Sequence, residues 1–246
     1  MVVDLNADLG EGCGDDEAII ACISSANIAC GWHAGDSRTQ LQAIRAAIRH
    51  GVAIGAHPSF PDRAHFGRQT MHRTPELVYI DLLMQIGGLQ AAVQGLGGQL
   101  KHVKPHGALY NQAAKDPALA DAIAQAVKVC NPQLKLMGLA GSELIKAGQR
   151  AGLQVIEEVF ADRAYLRDGT LAPRGTPGAV IADLTMAVQQ TLQMIRHGRV
   201  TALDGEVIAI RADSICLHGD GEHALTFAKQ LRRTLQTEGW EVRASD

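Results

Sequence analysis

Short apolar runs that end on His, Asp, Asn or Lys recur along this chain, and they constrain its fold more than any other feature. The first three are Val2-Val3-Asp4-Leu5-Asn6-Ala7-Asp8-Leu9-Gly10-Glu11, Asn27-Ile28-Ala29-Cys30-Gly31-Trp32-His33-Ala34-Gly35-Asp36 and Val52-Ala53-Ile54-Gly55-Ala56-His57-Pro58. They are followed by His102-Val103-Lys104-Pro105-His106-Gly107, Val155-Ile156-Glu157-Glu158-Val159-Phe160-Ala161-Asp162-Arg163 and Ser214-Ile215-Cys216-Leu217-His218-Gly219-Asp220. In parallel α/β folds the carboxyl ends of the strands share one rim, where polar groups distant in sequence meet at one pocket. The pattern therefore reads as an enzyme.

Between these runs, apolar residues recur at helical spacing: Leu41, Ile44 and Ile48; Ile181, Leu184, Val188, Leu192 and Ile195; Ala224, Phe227, Ala228, Leu231 and Leu235. Strand followed by helix, repeated, is the signature of βα units whose parallel strands need helical crossovers. Units of roughly 30 residues give about seven or eight of them. The fold class expected is α/β, for which a (β/α) barrel of about 250 residues is a common size, with residues 1–246 as a single domain. Segment 75–97 reads as a helix interrupted by Gly87-Gly88 and Gly95, which cost about 1 kcal/mol each relative to alanine and are tolerated where a neighbour packs closely. Segments 58–74 and 168–178 read as long loops of the site.

A net charge of −3 and the lack of any Lys/Arg-rich run exclude the electrostatic footprint of a nucleic-acid or anionic-membrane binder. The expected ligand is a small molecule. Met1 leads directly into the first strand, and no segment shows the roughly 18 uninterrupted apolar residues of a membrane span, so a cytoplasmic protein is expected. Five scattered cysteines without a C-x-x-C pair fit reduced thiols and argue against a zinc-cysteine site.

Strand alternation puts Asp4, Asn6 and Asp8 on one side and Leu5, Ala7 and Leu9 on the other, so the polar side points into the barrel mouth if the apolar side meets helices. A carboxylate there can act as general base or metal ligand, or serve as a salt-bridged structural group. His102, Lys104 and His106 share the same alternation. Lys104 can stabilise negative charge on a substrate oxygen, and His106 can move protons near neutral pH; a histidine bonded to a buried carbonyl is the alternative. His33 and His57 follow strands beside small residues that leave room for a ligand, and His218-Gly219-Asp220 repeats the pattern. A divalent metal held by His and Asp from different strands is compatible with this cluster, although no H-E-x-x-H pair is present. Gly10-Glu11-Gly12-Cys13-Gly14 matches neither phosphate-binding fingerprint and reads as a tight βα turn. Of Arg63, Arg68 and Arg73, Arg68 beside Phe66-Gly67 stands out as a clamp for a carboxylate or phosphate.

These tracts, together with Ser25-Ala26, Ser59-Phe60-Pro61-Asp62, Phe66-Gly67-Arg68 and Ala108-Leu109-Tyr110-Asn111, resemble the LamB/YcsF family essentially end to end. Departures are small: Ala7 and Cys13 stand where Cys and Phe are expected, and Trp32 and Phe60 replace Phe and Tyr. Ala7 argues against an essential thiol at that position. The resemblance implies an irregular (β/α) barrel of about seven strands, similar to the glycoside hydrolase/deacetylase class. It also implies ATP-dependent opening of 5-oxoproline to glutamate by a 5-oxoprolinase in which this chain is the A component and works with partner subunits B and C. Because the chain has no nucleotide-binding motif, ATP is expected at the partners, with this chain hydrating the activated lactam. In that scheme Asp8, with His33 or His57, orients or deprotonates water, and Lys104 and His106 steady the oxygen and leaving group. Arg68 or Arg163 holds the substrate carboxylate, while Asn6, Glu11, Asp162, His218 and Asp220 are expected around the substrate. A stand-alone hydrolase that uses a divalent metal is the alternative.

Overall fold

The computed structural model describes residues 1–217 and 224–245. In chain order its elements are β1 (Val2–Leu9), α1 (Asp16–Ile20), β2 (Ser25–Ala29), α2 (Ser37–His50), β3 (Ala53–His57), α3 (Pro75–Gly95), β4 (Leu100–Val103), α4 (Gly107–Ala113) and α5 (Pro117–Cys130). Then come β5 (Lys135–Leu139), α6 (Glu143–Ala151), β6 (Val155–Phe160), α7 (Leu184–His197), β7 (Arg199–Thr201), β8 (Val207–Ala209), β9 (Ser214–Leu217), α8 (Ala224–Thr237) and β10 (Glu241–Val242).

Strands β1 to β6 pair in sequence order, all parallel, and β9 bonds to both β6 and β1, closing a seven-stranded barrel. β10 adds a short parallel pairing to the start of β1, and β7 and β8 form a separate antiparallel hairpin. The expected irregular (β/α) barrel is therefore the fold. Closure leaves every barrel strand with two partners, which removes the exposed edges that would otherwise pair with another chain.

Alternation holds along β1: Leu5, Ala7 and Leu9 are fully buried on the outer side, while Asp4, Asn6 and Asp8 bond to residues of other strands across the barrel interior. Depth separates these three. At about 3.3 Å per residue, Asp4 lies roughly 13 Å below Asp8 along the strand. Asp4 is wedged at the base by hydroxyl donors from Ser24 (2.7 Å), Ser25 (2.8 Å) and Ser214 (2.5 Å). Burial nevertheless pushes its carboxyl above the usual range. Only Asp8 reaches the mouth.

Above this layer the interior is a polar ladder rather than the branched aliphatic filling usual in such barrels. Asn6 Nδ2 donates to Ser214 Oγ, and Asn27 Nδ2 donates to both Asn6 Oδ1 and Asp8 Oδ1. Asn27 Oδ1 accepts from His102 Nε2 at 2.7 Å. The His102 ring occupies the space where Gly55 lacks a side chain, since a Cβ there would stand 2.1 Å from His102 Nε2. Gly55→Ala is accordingly expected to displace the ring and break this rung, at a cost of about 2–3 kcal/mol. Urea denaturation of the two proteins measures the loss.

Helix boundaries follow local chemistry. Asp36 caps α2 in a reciprocal capping box with Thr39, and Gly51 ends that helix in the left-handed conformation. α7 begins at Leu184 because the Asp183 side chain caps it, which leaves Ile181 outside the helix that its spacing suggested; its N–H bonds Asp162 O instead. α3 runs unbroken through Gly87 and Gly88. Segments 58–74 and 168–178 both contribute to the rim of the barrel mouth.

Candidate active site

The carboxyl ends of β1, β3, β4 and β6 open into a cleft of about 660 Å³ lined by Asp8, Glu11, His57, Lys104, His106, Tyr110 and Phe160, with Arg68, Arg163 and Arg174 on its loop walls. Its floor is organised by Lys104. The buried ammonium lies 2.9 Å from Asp8 Oδ1, 3.2 Å from Asn6 Oδ1, 3.2 Å from Cys216 Sγ and 2.7 Å from Glu158 Oε1. An ammonium has three N–H donors for these four neighbours, and Glu158 Oε1 is the one left with an ion contact but no aligned hydrogen bond. Glu158 Oε2 accepts from Tyr110 Oη at 2.7 Å. Burial opposes both charges, yet His57 and Lys104 hold the Asp8 carboxyl well below the usual range. Asp8 and Glu158 in turn hold Lys104 well above the usual lysine value despite its burial. Burial also pushes the Cys216 thiol well up, so it stands beside Lys104 as a neutral SH.

Three histidines flank Asp8. His57 Nδ1 donates to Lys104 O at 2.7 Å, and His106 Nε2 donates to Phe66 O at 2.8 Å. Those carbonyls fix the tautomers, so the remaining nitrogens, His57 Nε2 and His106 Nδ1, face one another at 2.9 Å. Asp8 Oδ2 is 3.3 Å from His57 Nε2, and Glu11 Oε1 is 3.5 Å from His106 Nδ1 and 3.0 Å from His33 Nε2. His33 stacks flat on His106, with centroids 3.8 Å apart, and His57 stands edge-on to both. The Phe66-Gly67 turn closes over this stack. Phe66 adopts a left-handed φ of 56°, and a Cβ on Gly67 would lie 2.8 Å from both His106 Cδ2 and His33 Cβ. Burial, followed by the charge of His57, lowers His33 to about 3 and His106 well below the ordinary histidine value.

A model of the LamB/YcsF family matches residues 3–246. The chain belongs to the LamB/YcsF family. Among solved structures it is similar to the lactam utilization protein from Thermus thermophilus, with 48% identity, full coverage of both chains and a TM-score of 0.93. It also resembles the catalytic domain of the peptidoglycan N-acetylglucosamine deacetylase from Eubacterium rectale. That likeness has 10% identity over 100% of this chain and 88% of the other, with a TM-score of 0.54, and concerns the fold alone.

Within this LamB/YcsF barrel, Asp8, Glu11, His57, Lys104, His106, Arg68 and Arg163 all line the cleft. Arg68 lies over the Phe66 ring, 4.9 Å from its centroid. His33 sits behind His106, almost wholly buried, and reaches the cleft only through Glu11 and His106. Asn6 does not reach substrate space, because it is fully buried beneath Lys104 with its amide committed to Ser214, Asn27 and Lys104. Arg163 reaches the wall with its guanidinium already donating to Ala172 O at 2.6 Å, which pins segment 168–178. Asp162 is half-buried and is not among the cleft residues. His218 and Asp220 lie outside the described residues. Glu158 and Tyr110 join the site without having stood out in the sequence; the available signal was a carboxylate inside an otherwise apolar parallel strand.

Glu11, His33, His57 and His106 can hold a divalent cation, since one donor atom from each falls within 4.8 Å of the others. The donors fit such an ion chemically. They are imidazole nitrogens and a carboxylate from four different βα turns, and backbone carbonyls orient two of the rings as in metal-ligating histidines. Two facing lone pairs 2.9 Å apart require a positive charge between them, either a proton or a metal ion.

Proposed function

We propose that this chain is the A component of a 5-oxoprolinase. It would act in the cytoplasm as a single domain with partner subunits B and C in the ATP-dependent hydrolysis of 5-oxoproline to L-glutamate. The observation that carries the reading is the ionised Asp8 set against His57 at the mouth of a barrel whose sequence matches the lactam utilization protein over its whole length. A five-membered lactam is a poor electrophile, so the partners use ATP to phosphorylate the lactam oxygen. Water then adds to the activated carbon and the ring C–N bond breaks, its nitrogen taking up a proton. Loss of the phosphoryl group to a second water completes the balance: one ATP and two waters give glutamate, ADP and phosphate.

Asp8 orients the water and accepts its proton, with His57 positioned beside it. Lys104 keeps Asp8 ionised at the cleft floor, and His106 steadies the leaving group. Arg68 or Arg163, both on the cleft wall, binds the substrate carboxylate. The test is glutamate release from 5-oxoproline plus ATP by this chain, by the partners and by the mixture. Only the mixture is expected to react, and Asp8→Asn is expected to lower its turnover about 10²–10⁴-fold. Glutamate formed by this chain alone without ATP would overturn the division of labour.

The Glu11, His33, His57 and His106 cluster favours one second reading, a stand-alone hydrolase that uses a divalent metal. The ion would polarise the scissile carbonyl and lower the pKa of bound water. Stoichiometric metal in the purified chain, with ATP-independent activity lost to a chelator, selects that reading.

A further inference from the structure

α3 is largely apolar on both faces. Its inner face is buried and consists of Val78, Leu82, Ile86, Leu89 and Val93 with Gln85 and the Arg73-paired Asp81. The opposite face carries Leu77, Ile80 and Met84, exposed by 48%, 49% and 63%, and then Gly87, Gly88, Ala91 and Gly95, all exposed. At 100° per residue these seven positions fall within an arc of about 100°, with no charge among them. An 18-residue window of this helix reaches a mean hydropathy of 1.2. No close packing among the described residues calls for these glycines: a Cβ at Gly87, Gly88 or Gly95 would meet nothing within 4 Å. Helix formation nonetheless loses about 1 kcal/mol at each. Such glycines make room for a closely packed neighbour, and the described chain supplies none.

We propose that a second copy of this chain covers the face, with the two α3 helices antiparallel about a two-fold axis near residue 86. The argument is size complementarity within the stripe itself. Its amino-terminal half is bulky and its carboxyl-terminal half is small, so a two-fold rotation sets Leu77 against Gly95, Ile80 against Ala91, and Met84 against Gly87 and Gly88. Each large side chain meets a position without one. Gly87, Ala91 and Gly95 follow the spacing of four that lets two helix backbones approach closely. A two-fold contact must use the same patch on both copies, which a self-complementary stripe satisfies. A parallel pairing would set bulk against bulk and gap against gap. The inference is independent of the lactam reading and concerns a face distinct from the cleft, since no α3 residue lines it.

A helix pair buries less than the roughly 1,200 Å² of a tight complex, so a weak, concentration-dependent association is expected. Sedimentation velocity of the full chain between about 1 and 100 μM reads this directly. A reversible dimer is expected, abolished by the double substitution Ile80→Glu and Met84→Glu with thermal midpoint and circular dichroism unchanged. Under mild oxidation Gly87→Cys is expected to cross-link to its own copy, because the two positions sit about 3 Å apart along the shared axis, whereas Leu77→Cys is offset by about 27 Å and stays unlinked. A monomer throughout the range overturns the proposal, including when only partner subunits or lipid vesicles shield the face. A dimer that survives the double substitution, or cross-linking at Leu77 and not at Gly87, overturns it as well.

Discussion

Replacing Lys104 by methionine is expected to destabilise the protein by about 3–5 kcal/mol, because the change removes the ammonium facing two carboxylates, Asp8 and Glu158, inside the barrel. Methionine fills a comparable volume, so the loss is electrostatic rather than a cavity effect. The sign of the pH dependence identifies the cause. In the native protein the depressed Asp8 carboxyl contributes stability that is present above the ordinary carboxylate range and is lost as pH falls through its folded value. The elevated Lys104 contributes stability present below the ordinary lysine value and lost only at more alkaline pH. Without Lys104, Asp8 loses one of the charges that offset its burial, which moves its carboxyl back toward the protonated form. The deficit relative to the native chain should therefore shrink as pH falls from 7 to 5. Urea melts of both proteins at several pH values measure it, and a constant deficit across that range would rule out an electrostatic origin.

Acid sensitivity beginning below pH 6.5 is the second large effect. His33 and His102 are each lowered to about 3 and His106 falls well below 6.5, burial being the first cause for all three. All three are neutral in the folded chain. Once pH drops below 6.5 the unfolded chain binds up to three protons that the folded chain does not, so stability declines as pH falls. Each group contributes about 1.4 kcal/mol per pH unit, or about 4 kcal/mol per unit together once well below pH 6.5. Against an ordinary stability of about 5–15 kcal/mol, unfolding within roughly two to four pH units follows. Equilibrium denaturation between pH 8 and 4 reads the slope. His102→Gln, which removes one titrating group while keeping a donor toward Asn27, should reduce the slope by about a third. Stability that stays level down to pH 5 would show that the histidines are not held neutral.

Convergence of Asp8, His57, Lys104 and His106 was legible because it needs only two local facts: alternation fixes the side of a strand, and parallel crossovers align carboxyl ends. Depth was not legible. Asp4, Asn6 and Asp8 share a side, yet Asp4 anchors the base, Asn6 supports Lys104, and only Asp8 meets the cleft. Their levels depend on how neighbouring strands are staggered around the closed barrel, a property no single segment carries. Glu158 escaped notice for the same reason. In Glu157-Glu158 the alternation alone does not say which carboxylate points inward; pairing with Ser214 and contact with Lys104 decide it. Arg163 is cationic and on the rim as expected, but the path of segment 168–178 determines that its guanidinium bonds Ala172 O.

By itself the sequence determined the alternation of strand and helix, the parallel barrel, and the set of strand ends carrying polar groups, since period and turn chemistry act over a few residues. Tertiary structure alone decided which of those groups share one ammonium and which ring nitrogens face one another. It also decided which face of α3 remains uncovered. Each of these depends on distances between atoms far apart in the chain, and only closure of the barrel brings them within a few ångströms.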